Sequence, residues 1–290
     1  MRQALALLLC VATGLAQAQG LGEVALAAEG DAPGGPEALA FDGRHIWVAR
    51  PFADAVARIT ATSGAPAGSF SVERPGALLY ALSAVWVANT RANSVLKLSP
   101  FDGKVLGTYP VGSVPSAMVS DGEHLWVANS GSNSVMKLDR NGRKLLTVGT
   151  KARPLALAFD GANVWVANNK ARSIMKLRAS DGEVLGVFPA GDGPAALAFD
   201  GENIWVANYF SGNVMKLRAA DGAAGLAFDG HNLWVTSAST NRVMALRRDG
   251  SLMATYATGQ RPHQIVFDGA NIWLANTASD SVSSTALGWR

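Results

Sequence analysis

Cysteine is almost missing from this chain: Cys10 is the one in 290 residues. It lies inside an apolar run over residues 4–16 that follows Arg2 and ends in Ala16-Gln17-Ala18, a small-x-small pattern. That arrangement predicts a secretory signal peptide over residues 1–18, too short and wrongly flanked to span a bilayer. Cys10 lies too early, without small residues before it, for a lipid attachment site. The expected mature chain, residues 19–290, then holds no cysteine, which excludes disulfides, thiolate metal sites and a cysteine nucleophile. Charge is also scarce, at 16% of residues with a net of +3, and no basic run is interleaved with aromatics. Nucleic acid is therefore not an expected partner. Beyond the N-terminus no segment approaches the ~20 apolar residues of a membrane helix, and no helical periodicity with caps appears.

What the chain does have is tryptophan at a fixed spacing. Trp47, Trp86, Trp126, Trp165, Trp205, Trp234 and Trp273 are separated by 39, 40, 39, 40, 29 and 39 residues. A period in this range marks a repeat architecture. Within the repeat beginning at Pro154, residues 155–159 read as a short apolar strand ended by Asp160-Gly161, a tight-turn dipeptide. Residues 163–167 form a continuously apolar return strand, which implies cover on both faces. A polar turn, a third strand over 173–177, the turn at Asp181-Gly182 and a fourth strand over 183–189 complete the unit.

Four short antiparallel strands per ~40 residues, repeated seven times, predict an all-β, seven-bladed β-propeller in one domain. Each sheet has two apolar faces and hides them by stacking in a ring, with the tryptophans wedged between blades. The methionines Met136, Met175, Met215 and Met244 recur on the third strand and read as core. Pro36, Pro75, Pro115, Pro154, Pro194 and Pro262 open six of the repeats, where proline removes no ladder donor. The Asp-Gly turn recurs at Asp42, Asp121, Asp160, Asp200, Asp229 and Asp268, and Ala81-Leu82 replaces it in the second repeat. These aspartates read as turn residues and not as metal ligands. The seventh repeat lacks a fourth strand. The segment Gly22-Glu23-Val24-Ala25-Leu26 resembles the fourth strand Gly182-Glu183-Val184-Leu185-Gly186, so the N-terminal strand is expected to close the ring. The spacing of 29 after Trp205 removes a fourth strand from the fifth repeat, predicting a three-stranded blade with an open edge.

The phrase Phe-Asp-Gly-x-Asn-Ile-Trp-Val-Ala-Asn, followed by a polar turn and Ser-Val-Met-Lys-Leu, resembles the YncE-like/YVTN propellers over about residues 21–285. It is also similar to the NHL-type and streptogramin lyase (virginiamycin B lyase) propellers. The resemblance implies the fold strongly and an activity weakly, because such repeats are structural. Where the lyases carry Trp-Phe-Thr-Glu, this chain has Trp-Val-Ala-Asn, with Asn89, Asn129, Asn168, Asn208 and Asn276 in the Glu place. Arg50 and Ser237 fill that place in the remaining repeats. The role of those glutamates is therefore not available here.

Two sets of candidate residues follow. His263 after Pro262 and Glu37 after Pro36 share one repeat position on blades that become neighbours on closure. A His–carboxylate pair at the channel mouth suits acid–base work, and Pro-His-x-Ile is similar to the lyase-type propellers; a solvated seam pair is the plainer reading. His45, His124 and His231 read as turn residues on the opposite face. The connections before the first strand and between the second and third share a face bearing Arg50, Arg91, Lys151, Arg153, Lys170, Arg172 and Arg261. Tyr209 and Phe210 are its exposed aromatics, and Asp54, Glu73, Asp192 and Asp280 its acids. That face is the expected contact for a small anionic ligand or a protein. No Ser-His-Asp spacing, phosphate-cradling loop or clustered metal ligands is visible, so no metal or cofactor is expected. Glu37 as the lone acid of the first strands argues against a calcium-lactonase channel. The expected function is an exported, monomeric binding module, periplasmic or secreted, with a lyase-like or lactonase-like propeller enzyme as the alternative.

Overall fold

A computed structural model describes residues 22–25, 35–218, 227–228, 231–237, 241–247 and 252–286. The described residues hold 27 β-strands and no helix, arranged as seven antiparallel sheets. Six sheets have four strands and one has three. Inner strands of successive sheets lie against one another, and the inner strand of the seventh, Pro262–Phe267, lies against that of the first, Ala38–Phe41. The chain is a closed seven-bladed β-propeller.

Blade four shows how the repeat builds itself. Its strands are Pro154–Phe159, Asn163–Asn168, Ser173–Arg178 and Val184–Pro189, in spatial order from the channel outward. The first hairpin turns at Gly161, whose φ of 96° only glycine adopts without strain. Asp160 organises this turn with both carboxylate oxygens. Oδ1 accepts the N–H groups of Ala162 (2.9 Å) and Asn163 (2.6 Å), and Oδ2 accepts the indole N–H of Trp165 at 2.7 Å. The same turn-plus-indole bond recurs at Asp42–Trp47, Asp121–Trp126, Asp200–Trp205 and Asp268–Trp273, at 2.7–3.0 Å. In blade two, Leu82 and Ser83 take left-handed conformations instead, and the Trp86 indole donates to the Ala81 carbonyl at 3.1 Å. The turn role read from sequence is correct and incomplete, because the carboxylate also satisfies a buried donor.

Each indole is at most 3% exposed and packs against the next blade in the ring. Trp47 meets Leu78, Val85 and Val87 of blade two, Trp126 meets Leu157, Val164 and Val166 of blade four, and Trp273 meets Leu39, Ile46 and Val48 of blade one. The core is thus a set of interblade wedges. Met136 and Met175 are buried in it, whereas Met215 and Met244 are half-buried. Outer strands cover the indoles from outside: Phe70, Tyr109, Phe188 and Tyr256 stack on Trp47, Trp86, Trp165 and Trp234 with ring centroids 5.4–5.9 Å apart.

Ring closure occurs as expected, with Gly22–Ala25 as the outer strand of blade seven. Its register differs from the sequence match. Val24 pairs with Val282, the place taken in blade four by Phe188 opposite Ile174, so Gly22 corresponds to Gly186 and not to Gly182. Blade four's bulge between Lys176 and Leu177 lies within that four-residue span, so Val184 and Phe188 stand opposite residues of different faces, and a match of letters alone does not fix the register. Blade five consists of Pro194–Phe199, Asn203–Asn208 and Asn213–Arg218, with no fourth strand among the described residues.

Candidate functional site

The connections from outer strand to next blade and those between second and third strands interlock on one face. Asp54 Oδ1 accepts the Arg74 N–H, Asn93 that of Val114, Asn133 that of Arg153 and Asn241 that of Arg261, at 2.8–2.9 Å. All eight residues have φ between 43° and 59°. The acceptors are Asn or Asp, which tolerate the left-handed region, and the donor N–H is presented by the residue before the blade-opening proline. Arg172 and Asp280 occupy the same place in blades four and seven and form ion pairs instead.

Those ion pairs reshape the basic face read from sequence. Arg50 is 4% exposed, buried at the seam between blades one and seven, and donates to Asp280 at 3.0 Å. It is a seam residue and not a surface contact, a correction to its expected place on the exposed face. Arg50 replaces the strand-ending Asn of blades two, three, four, five and seven, and that departure from the repeat was the available signal. Arg91 pairs with Glu73 at 3.4 Å and Arg172 with Asp192 at 3.0 Å, both on the exposed face. Lys151, Arg153, Lys170 and Arg261 are exposed and make no ion pair among the described residues.

Tyr209 and Phe210 distinguish blade five from blades two, three, four and seven on this face; blade one has Pro51 and the exposed Phe52 at these places, with Arg74 over the Phe52 ring at 5.1 Å. In blades two, three, four and seven the residue after the strand-ending Asn bonds back to the seam: Thr90 and Thr277 Oγ1 to Arg74 and Arg261 carbonyls, Ser130 Oγ to Val114, and Asn169 Nδ2 to Pro194. Blade five places Tyr209 there, 58% exposed, followed by Phe210, 69% exposed. The two rings meet edge to face at 5.2 Å. The turn beneath them is held firmly. Phe210 and Ser211 N–H groups donate to the Asp192 carbonyl, and the Asp192 N–H donates to Ser211 Oγ at 2.6 Å. Asp192 in turn holds Arg172, so the aromatic pair is joined to the cationic turn of blade four.

The proposed His263–Glu37 pair is reached only in part. His263 lies on the inner strand Pro262–Phe267, beside a bulge between Pro262 and Ile265, and Glu37 immediately precedes the neighbouring inner strand Ala38–Phe41 at the same repeat position. Glu37 donates its N–H to the Ala49 carbonyl and is half-buried with partners of its own. The His263 side chain lies outside the described residues. The neighbouring Gln264 crosses the seam, its Oε1 accepting the Leu39 N–H. On the opposite face His45 and His124 sit in the Asp-Gly turns, with Nδ1 3.1–3.2 Å from the Asp42 and Asp121 carboxylates. His231 is exposed on a bend before the sixth indole strand.

A repeated cation on the third strand escaped the sequence reading. Arg58, Lys97 and Lys137 lie over the indoles of their own blades at 5.2–5.3 Å. Each also donates to carbonyls of the following blade: Arg58 to Pro100 and Phe101, Lys97 to Arg140 and Lys137 to Ala179. Lys176 and Lys216 keep the indole contact at 4.9 and 5.3 Å, while Ala245 and Ser284 replace the cation in blades six and seven. The signal was the Lys of Ser-x-Met-Lys-Leu itself. An opening of about 330 Å³ between blades three and four is lined by Asp121, His124, Lys137 and Phe159, with Lys137 already held by this clamp. No group of three or more metal-ligating side chains occurs among the described residues.

No family model and no curated protein matches the sequence. Solved structures do resemble it. Hydrazine synthase from Kuenenia stuttgartiensis is 19% identical with a TM-score of 0.76, over 91% of this chain and 98% of that one. A catalytically inactive histidine-to-alanine variant of virginiamycin B lyase from Staphylococcus aureus, with quinupristin, is 17% identical with a TM-score of 0.77, over 92% and 99%. A streptogramin B lyase is 17% identical with a TM-score of 0.77, over 91% and 96%. At these identities the likeness is one of fold, and the fold shared is the seven-bladed β-propeller.

Proposed function

We propose that this chain is an exported interaction module of the YncE-like/YVTN kind that binds a protein through the loop face of blades four and five. The observation that carries this reading is the aromatic pair Tyr209–Phe210. Large apolar rings are exposed on a rigid turn at a position where blades two, three, four and seven use a hydroxyl or amide to tie the seam. Exposed aromatics beside a polar rim are the composition of protein contact surfaces. Lys151, Arg153 and Lys170 supply the rim. A protein suits this surface better than a small anion, because Arg50, Arg91 and Arg172 are already neutralised by acids.

A photo-crosslinking residue at position 210, expressed in the producing cell, tests the reading against one at position 122 on the opposite face. The expected result is a discrete protein adduct from position 210 and none from 122. No adduct from 210, or equal adducts from both, overturns it. The competing reading is a lyase-like or lactonase-like enzyme at the channel mouth. Two fold neighbours are lyases and one is a catalytically inactive histidine-to-alanine variant; His263, at the same repeat position as Glu37, is the acid–base candidate in this chain. Turnover of a cyclic lactone that vanishes in His263→Ala would favour that reading, and undiminished turnover would clear His263.

A further inference from the structure

We propose that the Asp-Gly-turn face of blade two, opposite the loop face, docks on an anionic lipid bilayer. The Phe101 ring enters the headgroup layer, and arginines and lysines on either side meet the lipid phosphates. The proposal uses other residues than the protein-binding reading and stands independently of it. Blade two departs from the repeat at both of its turns on this face. In the first hairpin Ala81-Leu82 replaces Asp-Gly, so a carboxylate and a glycine give way to two apolar residues. In the second, Phe101 takes the place held by Thr62, Arg140 and Ser180 in blades one, three and four. Phe101 is 89% exposed, the most exposed large hydrophobic residue among those described. Tyr80, Val105 and Leu106 are exposed at the same end of the blade.

The ring is carried on a fixed turn. Arg58 of blade one, lying over Trp47, donates to the Pro100 carbonyl at 2.9 Å and to the Phe101 carbonyl at 3.0 Å. The Gly103 N–H closes the turn on the Ser99 carbonyl at 2.9 Å. Phe70 packs so closely beneath that a Cβ at Gly103 would lie 2.0 Å from its ring. These bonds use the backbone of Phe101 and leave its side chain to project. A rigid aromatic gives up little conformational freedom on insertion, and exposed apolar groups rimmed by polar ones mark protein or membrane contacts.

Charge decides between those two partners. Arg44 is exposed on blade one, where its carbonyl accepts the Ala61 N–H, and Lys104 lies in the Phe101 turn itself. Arg140, Arg143 and Lys144 are exposed on the blade-three turn. That turn adjoins blade two, because Lys97 Nζ donates to the Arg140 carbonyl at 2.9 Å and the Tyr109 ring lies against Gly142. Asp102 and Asp139 pair with Lys104 and Arg143. Arg44, Arg140 and Lys144 form no ion pair among the described residues, and Glu123 is the other exposed acid of this sector. On blade four the corresponding turn gathers Asp181 and Glu183 round Arg178, so the positive sector does not extend past blade three. The apolar turn and the excess of cations therefore coincide. Phe101 stands at a convex rim, which a bilayer reaches without needing a complementary pocket, and each cation near anionic lipid strengthens binding roughly fivefold.

The probe is extruded vesicles, of phosphatidylcholine alone or in equal parts with phosphatidylglycerol, sedimented with residues 19–290. That chain contains every described residue and omits the apolar leader. It should bind the mixed vesicles at least about tenfold more tightly than the neutral ones, and the preference should fade as salt rises. Phe101→Asp should weaken binding to mixed vesicles by at least about tenfold, and Phe101→Trp should retain it. Arg140→Ser combined with Lys144→Ser should weaken it by roughly tenfold and flatten its salt dependence. These side chains are exposed, so all three variants should keep the melting temperature. Leu185→Asp, at an exposed leucine of blade four outside the positive sector, should leave binding unchanged. No binding to the mixed vesicles, or equal binding by Phe101→Asp, overturns the proposal. Release by excess soluble glycerol phosphate would show a site for a free anion, and a crosslinker at position 101 that captures a protein would assign the face to a protein; either also overturns it. Crosslinking at position 210 is a separate readout, so failure here leaves the protein-binding reading standing.

Discussion

Blades four and five are built from nearly the same phrase and end differently. Asn-Val-Trp-Val-Ala-Asn and Ser-Ile-Met-Lys-Leu-Arg in one become Asn-Ile-Trp-Val-Ala-Asn and Asn-Val-Met-Lys-Leu-Arg in the other. Blade four adds Val184–Pro189 and buries its third strand; blade five has three strands among the described residues, with Val214, Met215 and Leu217 half-buried. Trp205 nonetheless remains 3% exposed, packed against Leu233 and Val235 of blade six with Lys216 over its ring. The lesson is that the interblade wedge sustains the ring, whereas the outer strand shields it. A blade can have three described strands and still keep its place in the ring.

The largest expected effect comes from making a second three-stranded blade. Deleting residues 20–28 removes the outer strand of blade seven and the connection that closes the circle. A loss of about 3–4 kcal/mol corresponds to a melting temperature lower by roughly 10 °C at ~2–4 °C per kcal/mol, read by calorimetry. If the melt is unchanged, closure contributes nothing. Next, Phe188→Ala makes blade four resemble blade five while leaving its ladder intact. Loss of a half-buried ring and its stacking predicts about 2 kcal/mol of destabilisation in urea; a null result would mean that the ring does not shield Trp165.

A smaller effect is common to both blades. Burial pushes the carboxylates of Asp42, Asp121, Asp160, Asp200 and Asp268 up. The indole, amide and backbone donors around them more than offset that, so each lies below the ordinary 3.8. Lowered folded-state values mean stability that is present above the unfolded pKa and lost as pH falls through the folded one. Melting temperature should hold near neutrality and decline below about pH 4, the model-peptide range. Asp160→Asn and Asp200→Asn should flatten that decline equally, and unequal flattening would show that the missing shield reaches the turn.

Much of this was legible in the chain. Seven indoles at a period near 40 dictated blade number, and the spacing of 29 located the missing strand. Less legible was anything set by one blade touching the next. Gly22-Glu23-Val24 matches Gly182-Glu183-Val184 letter for letter, yet the pairing places Val24 opposite Val282, the place of Phe188 and not of Val184. Arg50 reads as a surface cation until Asp280, 230 residues away, is found beside it. The cation clamp was hidden for the same reason: Lys137 is one letter of a strand until its partner carbonyl at Ala179 is known. Tyr209 and Phe210 were visible as exposed aromatics, but what makes them unusual is the seam bond that their counterparts form.

Amide hydrogen exchange, read residue by residue, tests the difference between the two blades most directly. The Ile174 N–H, paired with the outer strand, should exchange only with opening of the sheet, and the Val214 N–H should exchange orders of magnitude faster, near the rate of an exposed amide. Equal protection of the two would mean that the edge of blade five is already covered, and the contrast drawn between the blades would be wrong.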